Sequence, residues 1–104
     1  MDLESKRLKL HEELCRILGS RNCYYQPPSG MEMEYPCIVY DLNQDNPRFA
    51  DNIPYHHALE WNITVIDEDP TSIIFDKMLE FPKCRFERTF ALDDLNHFVF
   101  SLYF

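Results

Sequence analysis

The sequence is short of glycine, with Gly19 and Gly30 the only two in 104 residues. A glycine-rich phosphate cradle therefore has nothing to be built from. There is no GxSxG turn, and Gly30 lies in no strand-to-helix elbow. The four cysteines, Cys15, Cys23, Cys37 and Cys84, form no CxxC pair and have no histidine at zinc-finger spacing. They read as reduced thiols acting as small apolar side chains in an intracellular protein. No apolar run is long enough to span a bilayer. The opening MDLESKRLKLHEEL has no apolar core of the kind a secretion signal carries. Basic charge is also scarce where it would matter most. Between Asp41 and Asp76 there are eight carboxylates against Arg48 alone, a net of −7 in a chain whose total is −8. Such a surface repels phosphate, which argues against tight nucleic-acid binding and against anionic membranes.

The chain does have apolar material, 45% of residues, with 14% aromatic. That suffices for one core and one domain over 1–104. Leu3, Leu10, Leu14 and Ile17 recur at helical spacing, with Leu18 beside them and Gly19 placed to stop the helix. Cys23-Tyr24-Tyr25-Gln26 is a short aromatic stretch closed by Pro27-Pro28. Tyr35–Tyr40, YPCIVY, reads as a strand with Pro36 at its start. A polar, proline-interrupted run, LNQDNPRFADNIP, follows from Leu42 to Pro54 and reads as a loop. From Tyr55 to Asp67 the alternation is strong, with Leu59, Trp61, Ile63 and Val65 on one face and Glu60, Asn62 and Thr64 on the other. Asp69-Pro70 is expected to cap a second helix whose apolar face is Ile74, Phe75, Met78 and Leu79, ending before Pro82. Cys84, Phe86 and Phe90 then alternate with Arg85 and Glu87. After Asp93-Asp94, Phe98, Phe100, Leu102 and Phe104 form a last strand, central or covered on both sides. The expected fold is α+β, in the order α-β-β-β-α-β-β. It is a single, mainly antiparallel sheet with helices packed on one face.

No constellation amounts to a catalytic centre. His56-His57, near Asp45, Asp51 and Glu60, point to opposite faces of a strand and cannot easily share an ion. Asp67-Glu68-Asp69 with Asp76 lacks the spacing of a calcium loop. Cys37 and Cys84 sit in apolar strands, where thiols are usually inert. No cofactor or metal site is expected. Of the aromatic residues, Trp61 belongs in the core. Tyr24, Tyr25 and Tyr55 are interface candidates, because tyrosine buries a rigid area and keeps a polar tip. Asp45, Arg48, Phe49 and Asp51 in the polar run join them as candidate contact residues.

The succession of an N-terminal helix, Tyr24-Tyr25-Gln26-Pro27, YPCIVY, FADN (Phe49–Asn52), WNITVIDEDP, a short helix and a closing hairpin resembles the small tail-completion or tail-terminator proteins of long-tailed bacteriophages. The resemblance spans nearly the whole chain as a pattern of elements. It implies a non-enzymatic virion protein of the tail or neck, made in the host cytoplasm. Such proteins form a homo-oligomeric ring, commonly a hexamer, that ends the tail tube and meets the head connector proteins. An acidic lumen would let DNA pass without holding it. Two alternatives stay open: another head–tail connector component such as a head-closure protein, and an acidic regulatory or inhibitory binding protein. The 43–54 segment is expected to become ordered on assembly. Phe49→Ala should then impair assembly while leaving a folded monomer, as read by sedimentation and circular dichroism; loss of the folded monomer would place Phe49 in the core.

Overall fold

The computed structural model describes residues 2–43 and 59–104. Asp45, Arg48, Phe49, Asp51, Tyr55 and the His56-His57 pair lie outside them, as does most of the polar run. The described elements are α1 (Leu3–Leu18), β1 (Cys23–Tyr25), β2 (Cys37–Leu42), β3 (Glu60–Asp67), α2 (Ile73–Leu79), β4 (Cys84–Leu92) and β5 (Leu95–Tyr103). The fold is α+β.

α1 starts because Asp2 caps it: its carboxylate accepts from the Ser5 amide at 2.8 Å. It stops at Gly19, whose left-handed φ of 82° turns its N–H back onto the Cys15 carbonyl at 2.8 Å. Leu10, Leu14, Cys15, Ile17 and Leu18 are buried along one stripe. Leu3, expected on that stripe, is 46% exposed: it lies in the first turn, more than one turn before the first buried position, Leu10.

The five strands order as β1-β2-β3-β5-β4. β1 runs parallel to β2, and every other pairing is antiparallel. β2, β3 and β5 are therefore the flanked inner strands, which explains why each is apolar at alternate positions and partly so between them. Trp61, Ile63 and Val65 of β3, Ile38 and Tyr40 of β2, and Phe100 and Leu102 of β5 have no exposed surface. Both helices cover this one face of the sheet, joining Leu10, Leu14, Ile74 and Met78 to the same cluster.

Three local details differ from the expected pattern. Ser72, not Asp69, caps α2, its hydroxyl accepting from the Ile74 amide at 3.2 Å. Asp69 instead binds the Thr71 amide and hydroxyl at 2.9 and 3.0 Å, which holds Pro70 in the turn before the helix. Leu79 is 45% exposed, because α2 lies across the sheet on Ile74, Phe75 and Met78 alone. In β4 the register shifts between Phe86 and Arg88, so Phe86 pairs with Phe100 whereas Phe90 pairs with His97. Phe86 thus belongs to the helix face and Phe90 to the opposite one, where it stacks on the His97 ring at 4.7 Å.

The β4–β5 hairpin closes in two residues, Asp93 and Asp94, with φ of 54° and 64°. Left-handed pairs of this kind match the natural twist of the strands they join, and aspartate tolerates the conformation.

Phe100 sits between Phe75 and Phe86, at 5.6 and 5.7 Å between ring centroids, with no exposed surface. Phe100→Ala should lower unfolding stability by about 3–5 kcal/mol, with the urea m-value unchanged. A loss below ~1 kcal/mol would show that the helix–sheet seam collapses into the space.

Candidate interaction surfaces

Tyr24 and Tyr25 are neighbours on an outer strand, and alternation sends them to opposite faces. Tyr25 pairs with Tyr40 in register and leans on it at 5.1 Å, edge-on to Trp61 at 6.4 Å. The Arg7 guanidinium lies 4.8 Å above its ring. Tyr25 is therefore half-buried in an aromatic cluster under α1. Tyr24 faces the other way beside Val39, and its hydroxyl accepts from the Glu34 amide at 3.3 Å. The structure does not bring the two together.

Beneath α1, the buried Tyr40 hydroxyl lies 2.8 Å from Nδ1 of His11 and 3.4 Å from the Arg7 guanidinium. Arg7 can only donate, so the hydroxyl accepts from it, and the imidazole tautomer sets which of the hydroxyl and His11 Nδ1 donates to the other. Burial pushes the His11 pKa below its ordinary 6.5, and the positive charges of Arg21 and Arg7 add to that; Glu12 opposes them. Trp61 is satisfied at the far end of the cluster, its Nε1 donating to the Phe104 carbonyl at 3.5 Å.

The thiols are placed for packing. Burial raises Cys37 to about 12 and Cys84 to about 11. Burial and a hydrogen bond with Cys15 push Cys23 upward as well. Thiols held this firmly in the protonated form are poor nucleophiles. Among the described residues no group of three or more His, Cys, Asp or Glu is arranged to hold a metal ion. No helix among them is long and apolar enough to cross a membrane.

Two concave regions flank α2. An open groove of about 1020 Å³ runs between α1 and α2, floored by Leu8, Ile17, Phe81 and Phe104 and rimmed by both signs of charge. A smaller cleft of about 370 Å³ lies between the start of α2 and β4, lined by Phe75, Phe86, Phe98 and Thr89. The groove's charged lining is Lys9, Glu12, Glu13, Arg16, Lys77 and Glu80, with Glu13 and Arg16 paired to each other at 2.8 Å, and that of the cleft is Asp76.

Among the described strands, β4 is the most exposed. It is an outer strand of nine residues, and every residue after Cys84 is exposed. Phe86, Phe90 and Leu92 are 36%, 42% and 57% exposed. Arg85, Glu87 and Arg88 occupy its first half, while Thr89 to Leu92 carry no charge. The Arg85 Nε donates to Glu87 at 2.9 Å, and the Ser101 hydroxyl donates to the same oxygen at 2.7 Å. Ser101 first, and Arg85 after it, hold the Glu87 pKa below its usual value. Arg88 is in no close ion pair among the described residues, though its charge also favours the ionised Glu87, and it lies over the Phe90 ring at 5.9 Å.

Comparison with protein-family models, curated proteins and solved structures gives no match. The surface must be read from its own chemistry. Sequence reasoning passed over β4 as an interface because its alternation suggested a strand with one face in the core. The signal was Phe90 and Leu92, apolar residues beyond the stretch that α2 can cover.

His11 supplies a pH test. With its folded pKa lowered, the unfolded chain binds the proton more readily, so stability falls as pH drops below about 6.5 and levels off below the folded value. His11→Gln should flatten the urea-midpoint profile across that window; an unchanged slope would place the dependence elsewhere.

Proposed function

We propose that this chain is a non-enzymatic structural subunit that works by assembling with copies of itself and with other proteins. Within that class, a phage tail or neck ring that ends the tail tube and joins it to the head is the reading preferred. The observation that carries assembly is the exposed β4 margin. Long, apolar outer strands are ordinarily shortened, charged throughout or covered, and here the distal half has none of these protections. Exposed apolar residues joined along one strand mark surfaces meant to be covered. The phage assignment rests on the pattern of elements that led to it, together with the acidic middle third, which suits a channel that DNA must leave freely.

A ring requires a contact in which one patch meets a different patch on the neighbour. The two outer strands differ strongly, β1 with three residues and β4 with nine, so they suit such a contact better than a symmetric one. A second reading, an acidic binding protein that occupies a DNA-binding enzyme, draws on the placement of Asp67 beside Asn96. That pairing sets Asp67-Glu68-Asp69 near the Asp93-Asp94 turn at one end of the sheet.

The test is the mass of the purified chain across concentration, with electron microscopy of the large species. Closed rings of defined copy number are expected, alone or on added tail tubes. A monomer under both conditions that captures a DNA-binding enzyme would overturn assembly in favour of the second reading.

A further inference from the structure

We propose that the 31–35 segment of one copy adds to the β4 edge of the next as an extra strand, with Glu32 and Glu34 against Arg85 and Arg88. The inference rests on the self-association reading above and names its interface.

The acceptor has the parts that strand addition needs. Main-chain groups on an outer strand supply affinity, and side-chain pockets beside it supply selectivity. In the ladder with β5, Arg85 lies opposite Ser101 and Arg88 opposite Val99. The shift that takes in Glu87 therefore leaves the two arginines on the same face, two rungs apart, roughly 7 Å along the strand. Phe86, on the intervening rung, points to the other face at the mouth of the cleft that it forms with Phe75 and Phe98.

The donor has the matching period. Met31-Glu32-Met33-Glu34-Tyr35 belongs to no helix or strand. It alternates apolar and acidic residues, so an extended conformation sends both glutamates to one side, two residues apart. Met31 and Tyr35 are 43% and 37% exposed, and both glutamates are exposed as well. Laid parallel to β4, with Glu32 at Arg85 and Glu34 at Arg88, the segment sets Met33 beside Phe86. Methionine suits such a cleft, being unbranched and adaptable.

Position also agrees. The Glu34 amide donates to the Tyr24 hydroxyl, which fixes the segment near β1, while β4 is the opposite margin of the sheet. A segment at one margin and an acceptor at the other make a head-to-tail contact, the type that closes into rings. The competing account is that Arg85, Glu87, Arg88 and the register shift only guard the edge against pairing.

Charge reversal separates the two. Arg88→Glu and Glu34→Arg are both exposed changes, and each full-length variant is checked for an unchanged circular dichroism spectrum. Sedimentation of the wild-type chain should show self-association, weakened about tenfold or more in each single variant by like charges facing each other. Mixing the two variants one to one restores complementary pairs at every contact, so the mixture should assemble as the wild type does. If both single variants assemble like the wild type, or if the mixture fails to recover, this interface is overturned while self-association stands. A wild-type chain that stays monomeric up to ~1 mM, the weak end of specific association, both alone and with added tail tubes, overturns both.

Discussion

Burial of β3 under the helices is the constraint on which the other elements depend. Trp61, Ile63 and Val65 offer one face of large apolar groups, and no single neighbour can cover them. β2 and β5 extend the same face on either side with Ile38, Tyr40, Phe100 and Leu102. α1 and α2 then close it from above. Each element is amphipathic alone and is stabilised only when the whole layer is complete, as expected of a small domain in which little apolar surface can be wasted. The polar groups within this layer are few, and they are satisfied locally. The Tyr40 hydroxyl finds Arg7 and His11, and Trp61 finds the Phe104 carbonyl. Unpaired, each would cost about 1–3 kcal/mol in such surroundings.

The opposite face of the sheet is different in kind. It carries Tyr24, Val39, Asn62, Thr64, His97 and Val99, a mixture of polar and apolar side chains, with Cys37 and Ile66 buried at one end. Asn62 and Asp41 bridge neighbouring strands there at 2.9 Å. Cross-strand pairs of this sort stabilise a wet sheet face modestly and keep register. The fold thus concentrates its apolar energy on one side and leaves its margins, above all β4, incomplete.

Much of this was legible in the sequence because two periods were clean. The alternation Leu59, Trp61, Ile63, Val65 gave β3 its buried face, and Gly19 marked the end of α1 through a left-handed conformation that glycine adopts far more easily than other residues. What was not legible depended on partners far away in sequence. The short strand Cys23–Tyr25 belongs to the expected order, but that it runs parallel to β2 shows only in the pairing. The cap of α2 went to Ser72 because Asp69 found nearer donors in Thr71. In β4, one inserted residue reversed the parity, so that Phe86 and Phe90, in step by sequence, ended on opposite faces. For the candidate site, Tyr24 and Tyr25 were visible as aromatic residues, but only the fold shows one engaged with the core and the other at the rim. Alternation could not foretell that β4 would be outermost.

The inequality of the two margins has a geometric consequence. A sheet whose outer strands have three and nine residues has a front and a back, and copies joined front to back inherit a direction. Strands in any such array rotate by some 20–25° relative to their neighbours. Each added copy would therefore turn and tilt by a fixed amount, and the pitch of that rotation alone decides between a closed circle and an open spiral. The number of copies in an assembly would then be written in the twist of five strands rather than in any one contact.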